Sequence, residues 1–138
     1  MRIIGTTIFL LSTTIAFTQV NEVAGTFSSV NNKFERWSVM TLDQNGTFIY
    51  SYGVGGCQAK VTGTFSVDNS MLKFVNDSEF ASKVNTEDMT TDSLTYNIGT
   101  PLYPDLSLVD WKIGKNFIKP LNSVDSGCLV ESGKHKLN

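Results

Sequence analysis

The stretch from Thr41 to Tyr52 constrains the fold of this chain more than any other. It reads Thr-Leu-Asp-Gln-Asn-Gly-Thr-Phe-Ile-Tyr-Ser-Tyr. Asn-Gly is a strong hairpin signal because both residues tolerate a positive φ, so the chain is predicted to turn over residues 43–46 between two antiparallel strands. Larger residues alternate after the turn, and one face of the returning strand therefore carries three aromatic rings: Phe48, Tyr50 and Tyr52.

The rest of the chain shows the same signals of short strands separated by turns. Apolar and polar residues alternate most clearly from Ala59 to Asp68, as in a half-buried strand, and Gly63 within it predicts a bend or a bulge. Residues 78–92 are acidic and rich in hydroxyl groups, and they predict one short helix or loop insertion. Further strands are predicted over 23–30, 34–42, 71–75, 93–98, 106–113 and 117–121, with a short last strand within 128–137.

Eight or nine short strands with little helix predict an all-β fold. Because nearly all the connections are short, we expect an antiparallel up-and-down barrel of about eight strands, closed so that no sheet edge is left. An outer-membrane barrel shares this pattern, but its strands need about 9–11 residues with an apolar outer face. The outer face of residues 60–68 carries Lys, Thr, Ser and Asp instead, so that alternative is rejected.

Residues 1–18 have the composition of a secretory signal peptide. Arg2 supplies a positive charge, an apolar core follows to Leu11, and Ala16 and Thr18 place small residues before a cut at Gln19. The apolar run is too short and too rich in Thr and Ser for a membrane span, which needs about 20 apolar residues. No Cys follows it, so no lipid anchor is expected. The sequence thus predicts a secreted or periplasmic protein with a single domain over residues 19–138.

Charge and cysteine content narrow the expected partners. The chain has 11 basic and 13 acidic residues, and removal of Arg2 leaves a formal net charge of −3. No basic cluster occurs in the sequence, so neither nucleic acid nor an anionic membrane is expected as a partner. In an exported protein the pair Cys57 and Cys128 predicts a disulfide. A metal or redox pair is the competing interpretation, but there is no C-x-x-C motif and only one His, so no cofactor is predicted.

Four segments resemble a known family. Gly25-Thr26-Phe27 occupies the place of the Gly-x-aromatic motif that opens lipocalin-like barrels. Leu42 to Tyr50, followed by Gly63 to Asp68 and Met71 to Phe74, resembles a pattern of small exported proteins of Bacteroidetes-type bacteria that are called lipocalin-like. The resemblance covers residues 25–75 and implies a lipocalin-like barrel. The shared residues build strands and turns, so it implies a fold rather than a function.

The aromatic residues form the one constellation with functional potential. The interior of an eight-stranded barrel is either packed with side chains or holds one small ligand, and a buried Tyr hydroxyl needs a partner. Plain core and ligand cavity both remain open at this point. The candidate ligand-binding residues are Trp37, Phe48, Tyr50, Tyr52, Phe65, Tyr96 and Trp111.

No catalytic or metal-binding residue is predicted. His135 stands between two lysines without a nucleophile motif or metal-ligand spacing, and it is interpreted as solvent-exposed. Asp110 is the best single carboxylate for acid–base chemistry, but strand alternation would point it outward if Trp111 points inward. Residues 43–46 begin like a calcium loop but lack its later ligands.

The function expected from the sequence is therefore an exported, non-catalytic β-barrel that binds a small apolar ligand. The alternative is a protein-interaction module, either an accessory subunit of an envelope complex or an inhibitor, with Gly53–Gly56 and Thr100–Asp105 as contact loops. The expected partner is accordingly a small apolar ligand or another protein. A hydrolase is the third and least favoured hypothesis, since no acid–base or metal set is visible in the sequence.

Overall fold

A computed structural model describes residues 19–30, 35–80, 103–126 and 129–138. The predicted signal peptide, the predicted strand over 93–98 with Tyr96, most of the insertion over 78–92, and Cys128 lie outside these residues. Among the described residues, no helix is long and apolar enough to cross a membrane.

Ten strands are described, and eight of them form a closed antiparallel barrel. The other two, β8 and β9, pair only with each other and form a hairpin between β7 and β10. Around the barrel the strands follow chain order, and β10 pairs with β1 to close it, which confirms the predicted all-β up-and-down barrel. The strands are β1 Gly25–Ser29, β2 Arg36–Leu42, β3 Thr47–Val54, β4 Cys57–Asp68, β5 Met71–Asn76, β6 Trp111–Gly114, β7 Phe117–Pro120, β8 Val124–Asp125, β9 Val130–Glu131 and β10 His135–Leu137.

The turn between β2 and β3 is the one that the Asn-Gly pair predicts. Gly46 has φ +84° and its N–H donates to the Asp43 carbonyl over 3.0 Å. Asn45 contributes through its side chain, whose Oδ1 accepts from the Thr47 N–H over 2.9 Å. The left-handed conformation is therefore confined to the glycine, where it carries no steric cost.

Gly63 lies in an unbroken ladder, so the predicted bulge is absent. It pairs with Phe48 on β3 and with Asn76 on β5. A Cβ at this position would lie 2.7 Å from Cε1 of Phe48 and would also meet the carbonyl oxygen of Val75. Glycine is needed here because the Phe48 ring and the neighbouring strand occupy the space of a side chain.

The predicted strand over 106–113 is wrong in its first half. Leu106–Leu108 form a 3₁₀ turn, and only Trp111–Gly114 pair as a strand. Asp105 caps the turn, since its Oδ1 accepts from the Ser107 N–H over 2.9 Å. A short polar side chain that binds the backbone in this way offers the chain an alternative to the sheet.

The two ends of the barrel differ. One end has tight turns at residues 43–46, 69–70 and 115–116. The other end, which we call the mouth, holds the strand ends that are joined by residues 77–110 and 121–134, as well as the β3–β4 turn at residues 55–56. The longest connections, including the β8–β9 hairpin, thus leave the barrel at the mouth, and binding residues are commonly carried by such loops.

Candidate ligand-binding interior

Aromatic side chains from β3, β5 and β6 converge inside the barrel. Tyr50 pairs with Met40 on one side and Val61 on the other, and all three point inward. The Trp111 ring is fully buried, with its centroid 6.0 Å from both Tyr50 and Phe74 in edge-to-face contacts. Such contacts add about 0.5–1.5 kcal/mol per pair beyond the area they bury.

Five of the seven predicted ligand-binding residues lie together in this interior. They are Phe48, Tyr50, Tyr52, Phe65 and Trp111. Trp37 does not join them, because its neighbour Ser38 points inward and Trp37 covers Gly53 on the outer face. Tyr96 lies outside the described residues. Phe74 also belongs to this set. The sequence analysis predicted only a short strand here and did not select Phe74, which points inward between Lys73 and Val75.

The prediction that His135 is solvent-exposed is wrong. Its side chain is 0% exposed, while Lys134 and Lys136 on either side face the solvent. His135 lies on β10, whose alternation directs every second residue into the barrel. Its ring centroid lies 5.0 Å from that of Trp111.

His135 belongs to a buried polar cluster that no sequence motif indicates. Ser38 from β2 donates through Oγ to Oε2 of Glu131 over 3.0 Å, and the same Oγ lies 2.8 Å from Nε2 of His135. Ser38 also hydrogen-bonds Tyr50. Ser38 therefore contacts three polar side chains inside the barrel, which are Glu131, His135 and Tyr50.

Gly133 completes the cluster through its backbone. Its N–H donates to Oε1 of Glu131 over 2.7 Å, and its carbonyl oxygen lies 3.2 Å from Nδ1 of His135. Buried polar groups destabilise a fold unless they are hydrogen-bonded. The Glu131 carboxylate meets that condition at both of its oxygens.

Burial sets the direction of each pKa in the cluster. It lowers the pKa of His135, and the nearby Glu131 carboxylate and Gly133 carbonyl oppose that shift without overcoming it. It raises the pKa of Tyr50 against the opposing effect of the hydrogen bond between Tyr50 and Ser38, and it raises the pKa of Tyr52 as well. The interior therefore favours the neutral form of all three rings.

Ser38, His135 and Glu131 are the residue types of a hydrolytic triad, but their contacts differ from those of one. In a triad the carboxylate orients His through Nδ1, and the Ser proton passes to Nε2. Here the carboxylate accepts from Ser38, and Nδ1 faces a backbone carbonyl. All three side chains are at most 2% exposed.

The β8–β9 hairpin lies at the mouth and contacts the barrel through side chains. Arg36, at the start of β2, donates through Nη2 to the carbonyl oxygen of Val130. Glu131 reaches inward to Ser38, and Val124 and Leu129 are buried. The hairpin therefore covers part of the mouth without a backbone ladder to the barrel.

Two buried side-chain donors in the described part of the chain lack an acceptor, Nε of Arg36 at the mouth and Nε1 of Trp111 inside the barrel. Nε1 of Trp111 is buried and has no hydrogen-bond partner within the described part of the chain. The carboxylate candidate next to it, Asp110, faces outward and forms an ion pair with Lys73, as the alternation of this strand predicts.

A groove of about 230 Å³ lies outside the barrel, lined by Pro104, Asp105, Leu108, Val109 and residues 123–125. Leu108 beside it is 77% exposed. Among the described residues, no three His, Cys, Asp or Glu side chains are placed to hold a metal ion. No described cysteine is a free thiol.

Comparisons of the chain with protein-family models, with curated proteins and with solved structures found no match.

Proposed function

We propose that this protein is an exported, non-catalytic, lipocalin-like β-barrel that binds a small, mainly apolar ligand in its interior. The observation that carries the proposal is the convergence of Tyr50, Phe74 and Trp111 inside a closed eight-stranded barrel. Barrels of this size can hold one small ligand. Binding sites for small molecules are typically aromatic, with a few placed polar groups, and the cluster around Ser38 supplies such groups.

The contacts of Ser38 support a non-catalytic role. Its hydroxyl contacts the Glu131 carboxylate over 3.0 Å, whereas Nδ1 of His135 faces the Gly133 carbonyl and is not oriented by a carboxylate. A nucleophile also needs space for the reacting atom and donors for the developing oxyanion. The complete burial of Ser38 and His135 argues against an acyl-transfer site.

We also propose that the protein is exported and that it contains one disulfide. The composition of residues 1–18 supports secretion or delivery to the periplasm. Cys57, at the mouth, is not a free thiol, which supports its pairing with Cys128, the only other cysteine in the sequence. The relation to lipocalin-like exported proteins rests on the segments between residues 25 and 75.

A second candidate function is docking of a protein partner, as an accessory subunit or an inhibitor. The observation that favours it is the apolar groove beside Leu108, next to the Tyr103–Asp105 part of the predicted contact loop. A large aliphatic side chain that is almost fully exposed beside a groove is a common feature of contact surfaces.

Mass spectrometry of the protein purified from its source tests these functions together. A native mass that exceeds the chain mass by a small molecule supports the ligand binder. A second polypeptide in the native complex supports the interaction module instead. A bare monomer that also fails to take up small aromatic probes contradicts the ligand proposal. The mass after denaturation reports the cleavage at Gln19 and the loss of two hydrogens that a disulfide requires.

A further inference from the structure

The indole N–H of Trp111 is a buried hydrogen-bond donor inside the barrel. A buried donor without an acceptor is unfavourable, and native proteins rarely leave one unpaired. Trp111 is 0% exposed, and its Nε1 has no partner among the described residues. An acceptor from outside the chain would satisfy it.

None of the neighbouring polar groups accepts from the Trp111 N–H, and each has other partners. Ser38 contacts Glu131, His135 and Tyr50. Glu131 accepts from Ser38 and Gly133. The described part of the interior thus combines a hydrogen-bonded polar cluster with the unpaired N–H of Trp111, and Nε of Arg36 at the mouth is the other buried donor without a partner.

The surroundings of Trp111 restrict the molecule that could supply the acceptor. The rings of Tyr50, Phe74 and His135 lie with centroids 6.0, 6.0 and 5.0 Å from the Trp111 ring, so its body should be apolar and planar. A charged ligand would lose its hydration in this interior, where burial already favours the neutral forms of Tyr50 and His135. Charge and hydrogen bonding together favour a neutral molecule.

We infer that the barrel binds a neutral, planar, mainly apolar molecule that carries a carbonyl oxygen, and that the Trp111 indole N–H donates to this oxygen. The inference rests on the proposed function, and it adds the chemical class of the ligand and the residue that recognises it. Trp111 discriminates ligands with an acceptor from hydrocarbons of the same shape, because only the former satisfy its N–H.

Acetophenone and α-methylstyrene are suitable probes, because they have nearly the same shape and differ in the carbonyl oxygen. The protein contains two tryptophans, and Trp37 lies on the outer face, so its indole N–H resonance is an internal control. In ¹H–¹⁵N spectra of the intact protein we expect acetophenone to move the Trp111 indole resonance downfield. We expect α-methylstyrene to move it much less, and Trp37 to stay in place with both probes.

The variant Trp111→Phe keeps an aromatic ring and removes the donor. We expect it to bind acetophenone about tenfold more weakly, as for loss of one hydrogen bond, and to bind α-methylstyrene within about twofold of the wild-type affinity. Trp37→Phe is the matched control and should change neither affinity.

The outcomes separate the proposed ligand class from the proposed ligand-binding function. If both probes bind and Trp111→Phe weakens them equally, the ligand class is wrong while the ligand binder stands. If neither probe binds the wild-type protein, both are wrong. If the variant does not fold, the wild-type spectra still decide. A water molecule that stays on the Trp111 N–H in the presence of acetophenone, detected by a water-to-indole Overhauser effect, overturns the inference.

Discussion

His135 joins three parts of the molecule. It lies on the last barrel strand, contacts Ser38 on β2, and is within the field of Glu131 on the β8–β9 hairpin. A charged imidazolium would lose its hydration at this position, and the neutral ring is favoured for that reason. The protonation of one side chain is thereby linked to the packing of the barrel against its hairpin.

The unfolding free energy should fall as the pH is lowered from 7.5 to 5.5. The pKa of His135 is lowered in the folded state from its ordinary value of 6.5, so the unfolded chain binds the proton more readily. The contribution of His135 is fully present above pH 6.5 and is lost as the pH falls toward the lowered folded pKa. Urea unfolding at several pH values measures the effect.

His135→Gln is the variant for comparison, because it removes the titrating group. Glu131, Tyr50 and Arg36 are the other charged or titratable groups around the cluster. Burial raises the pKa of Tyr50, which keeps its titration above the chosen window. An equal pH dependence in the variant and the wild type would assign the effect to another group.

Replacement of Glu131 should lower the unfolding free energy, because its carboxylate accepts two hydrogen bonds. Glu131→Ala removes the acceptors of Ser38 and Gly133, and we expect a loss of about 1–3 kcal/mol. Glu131→Gln can still accept from Gly133 and should lose less. Glu79→Ala, at an exposed carboxylate, is the control and should change the unfolding free energy by less than about 0.5 kcal/mol.

For single residues, the sequence predicts apolar contacts better than polar contacts. The inward positions of Phe48, Tyr50 and Tyr52 follow from alternation along one strand. The cluster of Ser38, Glu131 and His135 joins residues more than 90 positions apart in the chain. No local pattern reports such a contact, and the flanking Lys134 and Lys136 made His135 look like a surface residue.

Strands differ in how much of their structure is encoded locally. β3 and β4 are long, alternate cleanly and are joined by short turns, so their faces and pairing could be predicted. β8 and β9 have two residues each, too few to show alternation. Their position depends on Glu131, Val124 and Leu129 packing against the barrel, and those contacts are visible only in the folded chain.

Gly63→Ala tests the close packing of β4 against its neighbours. A Cβ would meet the Phe48 ring and the Val75 carbonyl, so β5 or the ring must shift. We expect a loss of about 1–3 kcal/mol in the unfolding free energy, as in overpacked cores. Gly56→Ala is the matched control, because nothing lies within 4 Å of the added atom. A Gly63→Ala protein as stable as the control would contradict the packing described for β4.

The surface charge of the whole molecule is organised by its topology. Lys112, Lys115, Lys119, Lys134 and Lys136 are all exposed and lie on or beside three adjacent strands, β6, β7 and β10. Lys112 and Lys119 are direct cross-strand partners. The sequence shows no basic cluster because these residues are separated along the chain, and the barrel brings them to one side.

The proposed disulfide should stabilise the whole molecule. Replacement of both Cys57 and Cys128 by Ser is expected to lower the unfolding free energy by about 2–4 kcal/mol, since the bridge would close a long loop in the unfolded chain. Urea unfolding with and without a reducing agent measures this for the wild type and the double variant. If reduction leaves the wild type unchanged, the two cysteines do not form a stabilising bridge.

The pairing of β1 with β10 sets the order in which the molecule can fold. Phe27 lies opposite Leu137, so this contact closes nearly the whole chain into a ring, and the loss of chain entropy is large. Neighbouring hairpins can form earlier and faster, because their contacts are local. We expect β10 to dock late, and until then β1 and β7 present open edges that invite association with other chains. The step that removes those edges also places His135 beside Ser38, so completion of the ring and formation of the buried polar cluster are one event.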